Sequence, residues 1–469
     1  MRAAAIVLSC SIVLLTAGAI HAEADPGNPD CSADAGQVPQ SGAGDPRQGP
    51  SLCEYPTGEK DTSPSIAVSK KTGAVFISRK AGGIIRSTDG GATWQDVAVP
   101  PLPNGDDHNS GLHAFVQVDP ITDRLFYVTN TGVRSCGGPL PAVSLLSPGA
   151  VISWSDDAGH SWQGNTITCK TWDWGQMTTG PAPAGSSYPS VLYFMGVGDR
   201  PLGGRRLVFR SLDGGQTFEE MHQPASVLIE AGMPVTAPDG TIYFEYPYLP
   251  LDPSSLTSTV YPFQTENLCK IMVAVSEDYA ETWRQVPVPG SNGCQQGAGG
   301  QQTAVDSAGT VYVSWVEDQT DKIMLSHSRD KARTWSTPMD VTPAGARSSN
   351  NFAGIAAGAP GRIVISTMTS NLPPQFRFGY LTPLNQEWYT KVTYSENATA
   401  DEPRFTTLDF DPPGSPSISP SEISNETNAY LAMPTDREAW MVVSRHSASP
   451  DSPGDLVGGR LRLPDTAPR

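Results

Sequence analysis

Positive charge is what this 469-residue chain has least of: 31 Lys and Arg stand against 48 Asp and Glu, a formal net charge of −17. A nucleic-acid binder needs a basic footprint for phosphates, and docking on anionic lipid needs one too, so neither is expected as a partner. Charged residues of both signs together reach only 17%. Long apolar runs are absent apart from one at the N-terminus, which barely reaches spanning length and has no successor. Uninterrupted stretches of helix length are scarce as well, because 46 Gly and 43 Pro punctuate the chain. That density excludes long helices and predicts an all-β protein.

The N-terminal run has a secretory address. Arg2 precedes apolar residues 3–20, and Ala22-Glu23-Ala24 offers a small-x-small cleavage site, so 1–24 are read as a signal peptide and the mature chain as secreted, extracellular or periplasmic. Cys10 would leave with the signal. Six cysteines then remain (Cys31, Cys53, Cys136, Cys169, Cys269 and Cys294), an even set suited to an oxidising compartment. Their pairing is open from sequence; sequence neighbours suggest Cys31–Cys53, Cys136–Cys169 and Cys269–Cys294. No Cys or His spacing suggests a zinc site.

An eight-residue pattern sets the architecture. It reads STDGGATW at 87–94, SDDAGHSW at 155–162, SLDGGQTF at 211–218, SEDYAETW at 276–283 and SRDKARTW at 328–335. Ser is always first, Asp third (Asp89, Asp157, Asp213, Asp278 and Asp330), Ser or Thr seventh, and an aromatic last. A short carboxylate can accept N–H bonds across a tight turn, and Gly at the fifth place admits positive φ. The last two copies carry Ala280 and Ala332 there, which predicts reshaped or mildly strained turns. Strands are expected around the first copy at 65–68, 74–78, 83–86 and 94–99, four to one box, as in a propeller blade. The boxes recur about every 60 residues, natural for a four-stranded repeat. Beyond them, 351–357, 362–367, 376–381 and 387–394 predict another blade, and 404–410, 429–434 and 438–445 a last unit one strand short, which an N-terminal strand could complete. Six or seven blades are expected, seven being favoured.

These boxes resemble the Asp-box (BNR) repeats of the sialidase, or neuraminidase, superfamily of β-propellers. The resemblance covers about 61–446, with a signal at 1–24, a Pro/Gly-rich leader at 25–60 that is stapled by a disulfide, and a Pro-rich tail at 447–469. It implies that the boxes are structural turns on the face opposite the active site. It also implies an arginine triad for a substrate carboxylate, a Tyr–Glu nucleophile and an Asp acid/base. A guanidinium suits a carboxylate by bidentate bonding, and a Tyr nucleophile avoids repelling an anionic sugar. The strand that should hold the first arginine reads Ser63-Pro64-Ser65-Ile66-Ala67-Val68, and Lys80-Ala81-Gly82-Gly83 stands where the acid/base is expected. Tyr394 with Glu396, and Arg347, Arg362 and Arg404, are weak substitutes. The sialidase mechanism is therefore not carried over, and whether the chain is an enzyme stays open.

Loops entering the innermost strands should still converge on a polar mouth. They carry Asp106, Asp107, His108 and His113; Trp172, Asp173, Trp174 and Gln176; Glu230; Gln301; and Asn351. Amides and carboxylates suit sugar hydroxyls, and indole faces suit sugar C–H surfaces. Oxygen ligands would also accept calcium, although no cofactor is required. The expected partner is an extracellular glycan or related polar ligand, bound by a monomer. Hydrolysis or lyase cleavage through Asp106, Asp107, Asp173 or Glu230 is the alternative, and an apolar partner-binding platform a third.

Overall fold

The computed structural model describes residues 50–61, 63–79, 82–106, 108, 113–130, 134–136, 149–198, 205–224, 232–248, 270–292, 302–317, 320–349, 354–373, 386–418, 430–445 and 454–463. The signal segment, Cys31, Cys269, Cys294 and the expected strand at 376–381 lie outside them, as does the second of two glycosylation sequons, Asn425-Glu426-Thr427; the first, Asn397-Ala398-Thr399, is described. Among the described residues, no helix is long and apolar enough to cross a membrane.

Seven antiparallel sheets form the ring. The first is the one read from sequence: Ser65–Val68, Val75–Ser78, Ile84–Ser87 and Gln95–Val97. Blades two to five begin with His113–Val118, Thr171–Pro181, Val235–Thr236 and Thr303–Val305. The sixth contains Gly354–Ala357, Ile363–Ser370, Tyr389–Ser395 and Thr406–Asp409. Segment 404–410 therefore supplies the outer strand of blade six, not the opening of the last unit. The register Lys391↔Asp409 fixes it there, across a turn that lacks the box sequence.

The seventh sheet is composite. Its order from the axis outward is Tyr430–Thr435, Glu438–Arg445, Gly454–Arg462 and Ser51–Asp61. Both the leader and the tail thus contribute a strand, and the propeller strands run from Ser51 to Arg462. An N-terminal outer strand closes the ring and covers an edge that would otherwise template aggregation. Charge pairs hold it on both sides: Arg445 Nη1 donates to Glu54 at 2.7 Å, and Arg79 Nη1 to Glu59 at 2.7 Å.

The five boxes have one geometry. In the first, Ser87 Oγ donates to Asp89 Oδ1 at 2.8 Å, Gly91 N to Ser87 Oγ at 2.9 Å, and Thr93 N and Oγ1 to the two Asp89 oxygens at 2.9 and 2.5 Å. Ala280 and Ala332 keep the left-handed turn but adjust it, at φ 69° and 59° against 96°, 91° and 98° for Gly91, Gly159 and Gly215, and are fully buried. The strain is accepted because each methyl packs into the core between two blades. A sixth, degenerate turn follows Ser395, where Asn397 Oδ1 accepts from Arg404 N at 2.9 Å. That engages the first sequon asparagine in turn structure.

Hydrogen bonds from the Thr334 hydroxyl and N–H hold Asp330 down to about 2, and those from Ser161 hold Asp157 well below the carboxylate range. A depressed folded pKa gives stability that is present above the unfolded value near 4 and is lost as pH falls toward 2. Asp330→Asn is expected to cost about 1 kcal/mol at neutral pH. Its deficit against wild type should shrink between about pH 4 and 2, measured by urea unfolding at each pH.

Candidate functional site

Strand direction alternates, so the innermost strands begin at one end of the ring and the third strands stop at the other. The boxes follow the third strands. The mouth is therefore opposite the boxes, and the axis between them holds a cavity of about 280 Å³ lined by the innermost strands of all seven blades.

Several expected site residues prove to be structural. Asp106 accepts from Ser135 N (2.8 Å) and Oγ (2.5 Å), Thr166 Oγ1 (2.9 Å) and Asn104 Nδ2 (2.9 Å). Burial alone would raise its pKa, but these bonds outweigh it and hold the carboxyl below its usual value. It ties the 3₁₀ turn Arg134–Cys136 to the outer strand of blade two, and the Cys136–Cys169 disulfide repeats that link. Cys53 is also disulfide-bonded. His108 is buried, with its ring nitrogens 2.9 Å from Thr129 Oγ1 and 2.8 Å from Ser153 Oγ and its ring centroid 4.5 Å from that of Tyr127. Neither group is available to a ligand.

Gln176 behaves differently. It lies on the innermost strand of blade three after two register irregularities, and its Oε1 is buried without a hydrogen-bond partner. Two residues later Thr178 lines the axial cavity, and alternation places Gln176 on the same side of the strand. Asn130, which the sequence reading missed, ends the second strand of blade two opposite His113. It is fully buried, and neither its Nδ2 nor its Oδ1 has a partner. Asn130 lies against Gly175, where an added Cβ would stand 3.2 Å from Asn130 Cγ and 2.9 Å from Phe194 Cε2, whereas Gln176 pairs with Met195 and shares with Thr178 the face toward blade four. Glycine is required at position 175 for blades two and three to approach.

Glu245 is the second residue missed. It is fully buried in Ile242–Tyr248, and neither carboxylate oxygen has a partner. Desolvation pushes its pKa up to about 8, so it is protonated at neutral pH. Counted from the rung paired with the box serine, blades one, five and six carry Ser78, Ser314 and Ser366 in its place. One clue was legible: Asn130 and Glu245 are polar residues inside otherwise apolar strands, where such residues are rare unless paired.

Asp107, Glu230, Gln301 and Asn351 lie outside the described residues. His113, Trp172, Asp173 and Trp174 lie on described strands, but their side chains do not belong to the described set. Among the described residues no three His, Cys, Asp or Glu side chains gather as metal ligands. The sialidase substitutes are dispersed: Tyr394 is in the core between blades six and seven, Arg362 pairs with Glu396 at 3.6 Å, and Arg347 and Arg404 are exposed. Arg79, directly after the second strand of blade one, is engaged by Glu59 and Asp96.

No family profile matches the chain. It is similar to a xyloglucanase of Paenibacillus sp, 25% identical over 269 residues, 54% of this chain and 23% of that protein. It is also similar to xyloglucanase Xgh74A of Acetivibrio thermocellus, 27% identical over 173 residues, 35% of this chain and 19% of that protein. The chain thus matches less than a quarter of the length of these curated relatives. Similar solved structures include an ulvan lyase (12% identity, 86% of this chain and 95% of that one, TM-score 0.49) and the Hadza microbial sialidase Hz136 (14%, 86% and 66%, TM-score 0.40). An α-L-arabinofuranosidase of Fusarium graminearum is a third (13%, 68% and 90%, TM-score 0.42). The chain's own geometry establishes the fold: a seven-bladed β-propeller whose five box turns face away from its mouth.

Proposed function

We propose that the chain is a secreted propeller that binds a neutral polysaccharide at its mouth, around blade three. One observation carries this reading: two buried amides flank blade three, Asn130 on its blade-two side and Gln176 on its innermost strand, with polar atoms that no group among the described residues satisfies. Such atoms need an outside partner, and a sugar hydroxyl both donates and accepts. The Trp172 and Trp174 positions on the same strand add indoles suited to sugar C–H faces. A net charge of −17 disfavours polyanionic glycans, and the partial similarity to xyloglucanases makes xyloglucan the first ligand to try.

Mobility of the native chain in gels containing xyloglucan, with and without calcium, tests the proposal. Retardation is expected for wild type, and Asn130→Ala with Gln176→Ala should weaken it about tenfold or more. Equal mobility of both, with and without the polysaccharide, would contradict it. Hydrolysis or lyase cleavage is the second reading, favoured by the xyloglucanase similarity. Of the four carboxylates weighed for it, only Asp106 has a described side chain, and that side chain is engaged. A reducing-end assay on the same preparation separates cleavage from binding.

A further inference from the structure

A second cavity, of about 470 Å³, lies away from the axis on the outer edge of blade two. Its walls are the outer strand Gln163–Thr168, the proline-rich segment 100–103 and Gln216 in the box of blade three. Gly164 lets that segment lie on the strand: a Cβ there would stand 2.2 Å from Leu102 Cδ2 and 2.7 Å from Ile152 O. No ionisable side chain is among the eleven lining residues.

Two indoles line this groove, and both are held in place. Trp162 Nε1 donates to Gly159 O at 3.1 Å, and Trp154 is rooted in the core with the Arg124 guanidinium 5.8 Å from its ring. Amides supply the polar edge. Gln163 is exposed on the outer strand. Gln216 is exposed and is oriented by its bond to Asp213 O at 2.9 Å. Asn165 donates to the Gln216 carbonyl, which fixes blade three against blade two at this point. Rigid proline and indole surfaces lose little entropy on binding, and amides match hydroxyl groups. A charged ligand would find no counter-charge in the groove.

We infer that this groove is a separate site for a neutral oligosaccharide, distinct from the mouth. Its size suits a short saccharide, since ligand cavities begin at about 300 Å³. Tryptophan fluorescence of the full chain, titrated with cellotetraose and with a xyloglucan heptasaccharide, tests it. A saturable change with at least one sugar is expected. Gln163→Ala with Gln216→Ala should weaken it about fivefold or more, without altering the melting temperature, because both side chains are exposed. Trp162→Phe, which keeps an aromatic in the core, should reduce the signal, whereas Asn130→Ala with Gln176→Ala at the mouth should leave this titration unchanged. Failure of the mouth proposal therefore leaves a positive groove titration standing. The inference is overturned by no saturable change with either sugar, by unchanged affinity in the Gln163/Gln216 variant, or by a response to a polyproline decapeptide alone.

Discussion

Replacing Arg445 by Met is expected to lower the stability of the ring by roughly 3 kcal/mol. The side chain bridges the closing blade: Nη2 donates to Asp411 Oδ1 at 2.7 Å while Nη1 donates to Glu54 in the N-terminal strand. The Asp411 carboxylate is wholly shielded from solvent. Its other oxygen accepts from Thr390 N at 2.7 Å, Ser417 N at 3.0 Å and Ser417 Oγ at 2.6 Å. Desolvation works against the charge of Arg445, and its bonds to Glu54 and Asp411 outweigh that and raise its pKa. Removing the cation leaves a buried carboxylate half-compensated, which costs far more than an exposed pair is worth. Adding Asp411→Asn to the Met variant removes the stranded charge and should recover part of the loss. Urea midpoints of the two variants and wild type check both outcomes. A loss below about 1 kcal/mol would mean that the closing blade does not depend on this network.

Glu245→Gln is expected to be the other large effect, with the opposite sign above neutrality. The native pKa is raised from 4.5 to about 8. A raised folded pKa gives stability that is complete below the unfolded value and falls as pH rises through the folded one. The slope is about 1.4 kcal/mol per pH unit, so wild type should lose up to roughly 5 kcal/mol across the window between about 4.5 and 8. Gln has no proton to lose. The variant should match wild type within about 1 kcal/mol at pH 5 and exceed it by a few kcal/mol at pH 9. Parallel stability curves for the two proteins would show that Glu245 does not titrate in this window.

The repeat was legible because its chemistry is local. Ser, Asp and Thr within eight residues satisfy one another in all five boxes, so the turns and the strands beside them appear in sequence order. Blade seven was harder to read. Its four strands come from both ends of the chain, and Ser51–Asp61 lies almost four hundred residues from its partner Gly454–Arg462. No local pattern records that pairing. Segment 404–410 was given to the wrong unit for a related reason, since the turn at Ser395–Asn397 keeps box hydrogen bonds without the box sequence.

The site was read less well than the fold. Polar residues were sought on loops entering the innermost strands, and Gln176 lies on one of those strands. The same search took Asp106 and His108 for ligand groups, although their neighbours Ser135, Thr129 and Ser153 consume their hydrogen bonds. A residue's type cannot reveal that another element will satisfy it. Asn130 escaped because it ends a second strand, and only the loops entering innermost strands were searched. Glu245 escaped for the same reason, in a run of aromatic residues where a carboxyl was itself the anomaly.

A crystal of the chain soaked in a xyloglucan oligosaccharide tests the central claim most directly. The saccharide should appear at the mouth around blade three, with hydroxyl oxygens about 3 Å from the side-chain amides of Asn130 and Gln176. Those amides bonded only to other protein groups, with no sugar against them at saturating concentration, would contradict the account.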